Sequence, residues 1–170
     1  MVELRGRRVV LRAVDPEDVD RLWSILREPA VAERWGPFGR AEIESDLVGS
    51  DEAFAIEVEG EIVGAIQFGE EEDPMYRHAS VDVFLTTSRH GQRLGREAVY
   101  TLVRHLIDDR GHHRITIDPA ADNRAAIRAY ERVGFRPVGV LRRYERGADG
   151  TWHDGLLMEL VAEELVDPGA

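Results

Sequence analysis

The sequence predicts a mixed α/β fold in a single domain that spans residues 1–170. Segments in which apolar residues alternate with polar ones lie between segments whose apolar residues recur at helical spacing. In chain order these segments read β-α-α-β-β-β-α-β-α-β-β, which implies a mixed sheet covered by helices. A length of 170 residues suits one domain, and the chain contains no internal repeat, low-complexity tract or interdomain linker.

The first half of the chain predicts a strand, two helices and a hairpin. These elements lie in order at residues 9–14, 16–28, 41–48, 53–58 and 62–68. Pro16 suits the first position of a helix, because the nitrogen at that position needs no hydrogen-bond partner. Val19, Leu22 and Leu26 then fall on one helical face. The hairpin strands flank Glu59-Gly60-Glu61, a short polar connection with a glycine that is typical of a hairpin turn.

The second half of the chain predicts an acidic loop followed by four more strands and two more helices. The loop occupies residues 70–74, and the strands and helices lie at residues 78–85, 96–109, 114–117, 123–133, 136–144 and 152–161. Asp82 alternates with apolar neighbours, as in a half-buried strand, and Phe84 falls on the same side as Asp82. Asp122 or Asn123 caps the last helix, since a short side-chain oxygen satisfies a free N–H of the first turn.

Composition limits the possible functions. The chain has 33 acidic and 22 basic residues, and its net charge is −11. This charge argues against a nucleic-acid partner, whose phosphates need a basic surface. It suits a cationic substrate, although an acidic protein surface explains the charge equally well. There is no apolar run of about 18 residues and no signal-peptide pattern, so the sequence predicts no membrane association and a cytoplasmic location.

Several other kinds of site are not predicted. The chain contains no cysteine, which excludes disulfides, thiolate metal sites and cysteine nucleophiles. His112 and His113 lack a third ligand at metal spacing, so two surface histidines are favoured over a metal site. No Gly-x-Ser-x-Gly motif occurs. Trp152, His153 and Asp154 fit a strand next to a turn better than a substrate pocket.

The segment Asp118–Phe135 is the most specific motif of the chain. A strand, an Asn-capped helix with Tyr130 seven residues after Asn123, and then Gly134-Phe135 resemble the closing half of the GCN5-related N-acetyltransferase (GNAT) fold. The resemblance implies a central, mostly antiparallel sheet that is splayed between the fourth and fifth predicted strands and flanked by about four helices. It also implies acetyl-coenzyme A (acetyl-CoA) as the co-substrate, without a metal.

The loop at residues 91–95 resembles the coenzyme A loop of the same family. It precedes a helix, whose N-terminus presents free N–H groups and a partial positive charge to a pyrophosphate. Gly95 fits the family pattern, whereas Arg93 stands where the family has a glycine. The resemblance implies cofactor contacts from Phe84, Leu85, Gln92, Arg93, Leu94, Gly95, Arg96, Asn123, Ala126 and Tyr130.

Two residues are candidates for proton transfer. In the family, the tyrosine in the place of Tyr130 protonates the departing thiolate, and a phenol with a pKa near 10 is protonated at neutral pH. The alternative is that Tyr130 only packs one helix face. Asp82 is the candidate base, because a primary ammonium must lose a proton before its nitrogen attacks a thioester. The alternative, a solvent-facing aspartate in an amphipathic strand, is equally compatible with the sequence.

The resemblance extends to the aminoglycoside 6′-N-acetyltransferases, which act in antibiotic resistance. Trp35-Gly36, the acidic loop and the two aspartates match features of that subgroup, although the segment after Phe68 is shorter than its usual substrate loop. The residues implied to bind the substrate are Trp35, Glu72, Asp73, Asp82 and Asp118. The acceptor implied is a small polycationic amine.

Two other functions remain open on the sequence. The first is acetylation of protein N-termini, as in the related Rim-type transferases. The second is a degenerate, non-catalytic GNAT domain that binds coenzyme A or nothing, for which Arg93 is the only support. Homodimers are common in the family, so a homodimer is also possible, but no interface is identifiable in the sequence.

Overall fold

The computed structural model describes residues 2–169 and confirms the mixed α/β fold class. One open sheet has the strand order β1-β2-β3-β4-β5-β6-β8-β7. Its strands are β1 (Leu4–Arg5), β2 (Val9–Ala13), β3 (Ala53–Val58), β4 (Glu61–Glu71), β5 (His78–Leu85), β6 (Arg114–Ile117), β7 (Arg136–Arg146) and β8 (Trp152–Val161). The α-helices are α1 (Val19–Leu26), α2 (Pro29–Trp35), α3 (Arg40–Glu42), α4 (Leu94–Asp108) and α5 (Arg124–Glu131). Within these residues, no helix is long and apolar enough to cross a membrane.

The largest difference from the sequence analysis is α2, for which no helix is predicted. Pro29 occupies its first turn, directly after the residue at which the preceding helix was expected to end. Gly36 ends α2 with a φ of 61°, a left-handed value that glycine adopts without steric cost. The predicted helix at 41–48 is also irregular, since three α-helical residues lead into a π-helical turn over Ile43–Leu47.

The acidic loop begins later than predicted, because β4 extends to Glu71. Glu70 lies within the strand and accepts hydrogen bonds from Arg110 at 2.6 and 2.9 Å. It also pairs with Nε2 of His112 at 2.5 Å. His112 is 1% exposed, so the expectation of two surface histidines is wrong for this residue. These partly buried contacts of Glu70 therefore hold the end of β4 to the segment before β6.

The sheet splays between β5 and β6, which are the fourth and fifth predicted strands. These strands pair in parallel at three positions, from Ala79 opposite Ile115 to Val81 opposite Ile117. Beyond Ile117, Pro119 has no N–H to continue the ladder, and its carbonyl instead accepts a hydrogen bond from Leu156 at 2.8 Å. The strands therefore diverge and leave a cleft.

Apolar side chains fill both faces of the sheet. One core packs beneath α4 and α5, and a second core packs beneath α1 and the segment that follows it. Phe84 belongs to the second core and is 5% exposed, whereas the alternation in the sequence placed it on the polar side of its strand. The N-terminal half of β5 is buried on one face only. Its C-terminal half is buried on both faces, because the helices before β3 cover only that half.

Gly64 on β4 is predicted to be essential for the close approach of β5 beside the cleft. It pairs with Leu85, and a β-carbon at this position would lie 2.0 Å from the carbonyl oxygen of Phe84. Gly64→Ala should therefore lower the free energy of unfolding by about 3 kcal/mol. Urea denaturation measures this loss, with Gly139→Ala on β7 as the control, because a β-carbon there meets no atom within 4 Å. Equal stabilities of the two variants would contradict the packing described here.

Candidate active site

Two cavities meet where β5 and β6 diverge. The loop-side cavity, of about 470 Å³, lies along the connection from β5 to α4 and reaches α5. The hairpin-side cavity, of about 820 Å³, lies against the hairpin of β7 and β8. The residues that line both cavities are Arg34, Trp35, Val83, Asn123 and Tyr130. A ligand in one cavity can therefore touch a ligand in the other at this junction.

The loop-side cavity brings together all but one of the residues expected to contact the cofactor. Those that line it are Phe84, Leu85, Arg93, Leu94, Gly95, Arg96, Asn123, Ala126 and Tyr130. Gln92 is the exception: it is exposed, and its carbonyl accepts a hydrogen bond from Arg8 at 2.9 Å. The cavity is therefore built from the start of α4, the first turns of α5 and the free end of β5.

Arg93 keeps the backbone geometry that a glycine would provide. It precedes the first residue of α4 with φ 65° and ψ 13°, which is the left-handed region. This conformation costs an arginine about 1 kcal/mol relative to right-handed backbone. The start of α4 therefore presents its free N–H groups to the cavity. Arg93 thus adopts the backbone conformation that a glycine favours. Its presence in the loop is therefore no support for a degenerate domain.

The loop-side cavity is also strongly basic. Arg93, Arg128 and Arg132 line it and form no ion pair within residues 2–169. Burial, together with the charges of Arg93, Arg132 and Arg8, lowers the pKa of Arg96. Uncompensated guanidinium groups beside a helix N-terminus are suited to a phosphate-bearing ligand.

Asn123 caps α5, as the sequence predicts for Asp122 or Asn123. Its Oδ1 accepts a hydrogen bond from the N–H of Ala126 at 3.3 Å, so its amide NH2 group is left for another partner. Asp122 instead pairs at 2.5 Å with Arg34, which lines both cavities. The hydrogen bond from Arg34 lowers the pKa of Asp122, because its effect outweighs the opposing effect of burial.

Tyr130 is buried at the junction of the two cavities. Its ring packs edge-on against Phe135 with centroids 6.3 Å apart, and the residue is 9% exposed. Burial, and secondarily the charges of Asp82 and Asp118, raises the pKa of its hydroxyl. Tyr130 therefore packs a helix face and also remains a protonated donor at neutral pH, so the two interpretations of the sequence are compatible.

Asp82 and Asp118 follow the last paired residues of β5 and β6, so the register places both carboxylates at the point of divergence. Asp82 is open to the water of the cleft, but the cleft walls surround it on several sides. This burial, with the charges of Asp118 and Glu145, raises the pKa of Asp82 to about 7. The N–H of Val83 donates to its Oδ1 at 3.1 Å and opposes the shift only in part.

The sequence analysis misses several polar residues of the hairpin-side cavity, which are Arg34, Gln67, Ser80, Tyr144, Glu145 and Arg146. Tyr144 donates a hydrogen bond of 2.5 Å to Oδ2 of Asp118, and this bond and burial raise the pKa of Tyr144 to about 12. Burial and the charge of Asp118 raise the pKa of Glu145. Two arginines also line the cavity, Arg34 of α2 and Arg146 of β7. The alternating pattern of β7 gives no signal for Tyr144 and Glu145, because a bulge decides where they point.

That bulge lies between Leu141 and Glu145 of β7. Leu141 pairs with Gly155 and Glu145 pairs with His153, so four steps on β7 oppose two steps on β8. Arg143, at φ 50°, takes up the extra length in a left-handed conformation. The bulge turns the hairpin toward the cleft, where bulges commonly redirect side chains.

The expected substrate-binding residues divide into two groups. Trp35, Asp82 and Asp118 line the hairpin-side cavity, and the ring of Trp35 packs edge-on against Phe84 with centroids 4.8 Å apart. Glu72 and Asp73 do not line it, because they lie in the connection from β4 to β5, at the opposite end of β5. There the carboxylate of Asp73 accepts a hydrogen bond from the N–H of Met75 at 2.9 Å. Asp73 stabilises a turn, and both acids are left out of the site.

Asp82→Asn should stabilise the protein at high pH. The carboxyl ionises at about 7 in the folded chain and near 3.8 in the unfolded chain, so ionisation favours unfolding as the pH rises from about 4 to about 7. Asparagine does not titrate. We expect the variant to be more stable than the parent at pH 8 by about 1 kcal/mol, since cleft water screens much of the effect. Urea denaturation at pH 4 should give equal stabilities, and an equal gap at both pH values would contradict the shift.

Comparison with known proteins identifies the family. The model of the acetyltransferase (GNAT) domain family matches residues 8–136. A search of curated proteins finds no significant match. Among solved structures, Mycobacterium smegmatis RimJ in complex with CoA-disulfide is 27% identical, with a TM-score of 0.82 over 98% of this chain and 88% of that one.

Two further structures share the fold at lower identity. The ribosomal-protein-S5-alanine acetyltransferase from Vibrio fischeri is 16% identical, with a TM-score of 0.81 over 98% of this chain and 100% of that one. RimL, a ribosomal L7/L12 alpha-N-protein acetyltransferase in complex with coenzyme A, is 20% identical, with a TM-score of 0.80 over 94% and 98%. Together with the family match, the fold and the cleft lead to one conclusion: the chain belongs to the GNAT acetyltransferase family and is an N-acetyltransferase with acetyl-CoA as its co-substrate.

Proposed function

We propose that this enzyme acetylates a primary amine of a small polycationic acceptor, of the aminoglycoside type, by direct transfer in a ternary complex. The observation that carries the proposal is the group of carboxylates beside the junction of the two cavities, formed by Asp82, Asp118 and Glu145. Carboxylates at close range attract a cationic ligand and raise one another's pKa in its absence. Among residues 2–169, arginines and no carboxylate line the loop-side cavity, whereas three carboxylates and two arginines, Arg34 and Arg146, line the hairpin-side cavity, so the two substrates have separate places.

Acetyl-CoA is assigned to the loop-side cavity. The free N–H groups at the start of α4 and the arginines around them suit its pyrophosphate. Asn123 retains an amide group that can bind the chain leading to the thioester. The remainder of the cofactor would then lie in the opening between β5 and β6, where the edge of β5 that faces β6 has no strand partner beyond Val81.

The backbone of Leu85 is suited to polarise the thioester carbonyl. The N–H of Thr86 donates to the carbonyl of Val63 at 2.8 Å, and hydrogen-bonded pairs alternate along an antiparallel ladder. By this alternation the N–H of Phe84 points to β4, whereas that of Leu85 points into the opening. A donor fixed in this way contributes on the order of 3 kcal/mol to stabilising the oxyanion.

Asp82 is assigned the role of general base. The ammonium of the acceptor loses a proton to Asp82, directly or through water, and its nitrogen then forms a bond to the acetyl carbon. A pKa of about 7 suits this task, because a pKa close to the working pH leaves a substantial ionised fraction that is still basic enough to accept the proton. Asp118 and Glu145 hold the remaining positive charge of the acceptor, and the rings of Trp35 and Phe38 form the opposite wall.

Tyr130 is assigned the role of general acid. When the carbon–sulfur bond breaks, the thiolate of coenzyme A takes the phenolic proton, which Tyr130 regains from water or from Asp82. The position of Tyr130 in both cavities supports this role, since the sulfur must lie between donor and acceptor. No metal is needed in this sequence of steps.

A protein N-terminus is the second candidate acceptor. The similarity to RimJ favours it, and the hairpin-side cavity, at about 820 Å³, is open enough for the end of a polypeptide. An α-amine, like an aminoglycoside amine, must lose a proton before it attacks, so the assigned roles of Asp82 and Tyr130 are the same for both acceptors.

A panel of acceptors separates the two candidates. Aminoglycosides and peptides with free N-termini are each incubated with the enzyme and acetyl-CoA, and thiol release and acetylated product are measured. Acetylation of an aminoglycoside, with a higher KM for that acceptor in Asp118→Asn, supports the proposal. Acetylation of peptides alone would replace it with the second candidate.

A further inference from the structure

A third cavity, of about 480 Å³, lies along the face of α4 that carries Arg96, Tyr100 and Arg104. Residues 5–8 and 167–169, which contact each other through Arg7 and Asp167, also line it. We call it the arginine pocket, because six of its lining residues are arginines: Arg5, Arg7, Arg8, Arg93, Arg96 and Arg104. In a chain with a net charge of −11, six of the 22 arginines are concentrated in one small cavity.

The acidic residues of the pocket neutralise only part of this charge. Glu97 accepts hydrogen bonds from the N–H groups of Arg8 and Val9 at 2.5 and 3.1 Å, and it pairs with the Arg8 guanidinium. Asp167 pairs with Arg7 at 3.0 and 3.1 Å. These two carboxylates are the acidic residues that line the pocket. Glu97 therefore holds the N-terminal segment to α4, and Asp167 holds residues 167–169 to that segment.

Three guanidinium groups of the pocket remain without a carboxylate partner among residues 2–169. They belong to Arg93, Arg96 and Arg104. Their spacing places them along one side of α4 over roughly 16 Å, and Arg104 lies over the ring of Tyr100, with 5.6 Å between its guanidinium carbon and the ring centroid. Arginines gathered in this way repel one another, and an anion would relieve that repulsion.

The arginine pocket continues the loop-side cavity. Arg93 and Arg96 line both, so a ligand that crosses the start of α4 passes from one into the other. Acetyl-CoA carries a pyrophosphate in the middle of the molecule and a phosphomonoester on its ribose. When the pyrophosphate lies at the start of α4, the ribose phosphate is the next anionic group along the molecule. Guanidinium groups are well suited to a phosphomonoester, because they form paired, charge-assisted hydrogen bonds.

We propose that the arginine pocket binds a phosphomonoester, namely the 3′-phosphate of acetyl-CoA, and thereby selects this cofactor over its dephosphorylated form. The inference rests on the assignment of acetyl-CoA to the loop-side cavity. The same chemistry would also suit a free phosphate or a separate phosphorylated ligand, which the test distinguishes.

The test compares coenzyme A with dephospho-coenzyme A by calorimetry, which needs no acceptor. For the unmodified enzyme, we expect a Kd for coenzyme A about tenfold below that for dephospho-coenzyme A, since charged hydrogen bonds to the phosphate are lost. In the double variant Arg5→Gln/Arg104→Gln the two Kd values should converge to within about threefold, with that for dephospho-coenzyme A unchanged. The control is Arg142→Gln, which removes an exposed arginine from β7 and should keep the tenfold difference.

A second titration identifies the source of the phosphate. Inorganic phosphate is added to enzyme saturated with dephospho-coenzyme A. Suppose that the two cofactors have equal Kd values and that inorganic phosphate binds to the unmodified enzyme but not to the double variant. This result would overturn the assignment to the 3′-phosphate and would make the arginine pocket a site for free phosphate. Equal Kd values without phosphate binding would overturn the proposal. Failure of both cofactors to bind would overturn it as well, and would contradict the assignment of the loop-side cavity.

Discussion

Tyr130→Phe should lower kcat on the order of 100-fold and leave the affinity for acetyl-CoA nearly unchanged. The variant keeps the ring, and therefore the edge-on contact with Phe135 and the packing of α5. It removes the phenolic proton, so the thiolate must leave without a donor or take its proton from water. Because only the transition state uses this proton, the loss appears in kcat and not in binding.

Steady-state kinetics and calorimetry with acetyl-CoA measure the two effects separately. Tyr76→Phe is the control, since Tyr76 is 72% exposed and lies outside both cavities. It should keep both the kcat and the affinity of the unmodified enzyme. Undiminished turnover of Tyr130→Phe would remove Tyr130 from the mechanism and leave it only a packing role.

Asp82→Asn should lower kcat/KM on the order of 100-fold at pH 7.5 and change the dependence on pH. Asp82 acts in its ionised form, so the activity of the unmodified enzyme should rise as the pH increases through about 7. The variant has no group at that position that ionises, so the rise near pH 7 should be absent. A pH–rate profile measured with the amine identified by the acceptor panel shows both effects.

Asp118→Asn provides an internal check on this assignment. The charge of Asp118 is one of the causes of the raised pKa of Asp82. Its removal should therefore shift the rise in activity to lower pH without abolishing it. A profile of Asp82→Asn that still rises near pH 7 would contradict the role of Asp82 and would leave a water chain or another group as the base.

Local patterns in the sequence predict most of the elements that position the site. The spacing of Val99, Leu102 and Leu106 identifies α4, and all three are buried in the core. Asn123 and Tyr130 fall on the first turn and the buried face of α5, since a cap and a helical period are both local properties. These elements form the loop-side cavity, which is why nearly all of the expected cofactor residues line it.

The hairpin-side cavity is predicted less completely, because it depends on contacts between distant parts of the chain. Tyr144 and Glu145 reach it through the bulge in β7, and a bulge does not alter the residue pattern of a strand. Arg34 reaches it because α2 packs across the sheet. Glu72 and Asp73 are predicted to bind the substrate but lie outside the cavity, since they are near Asp82 in sequence but at the far end of β5 in space.

The most direct test of the central claim is a crystal structure of the enzyme with coenzyme A. The claim is that acetyl transfer takes place at the junction of the two cavities. We expect the coenzyme A sulfur to lie within about 3.5 Å of the Tyr130 hydroxyl, on the side of the junction away from Asp82, with the pyrophosphate at the start of α4. A sulfur outside the opening between β5 and β6, or with Tyr130 out of its reach, would contradict the account.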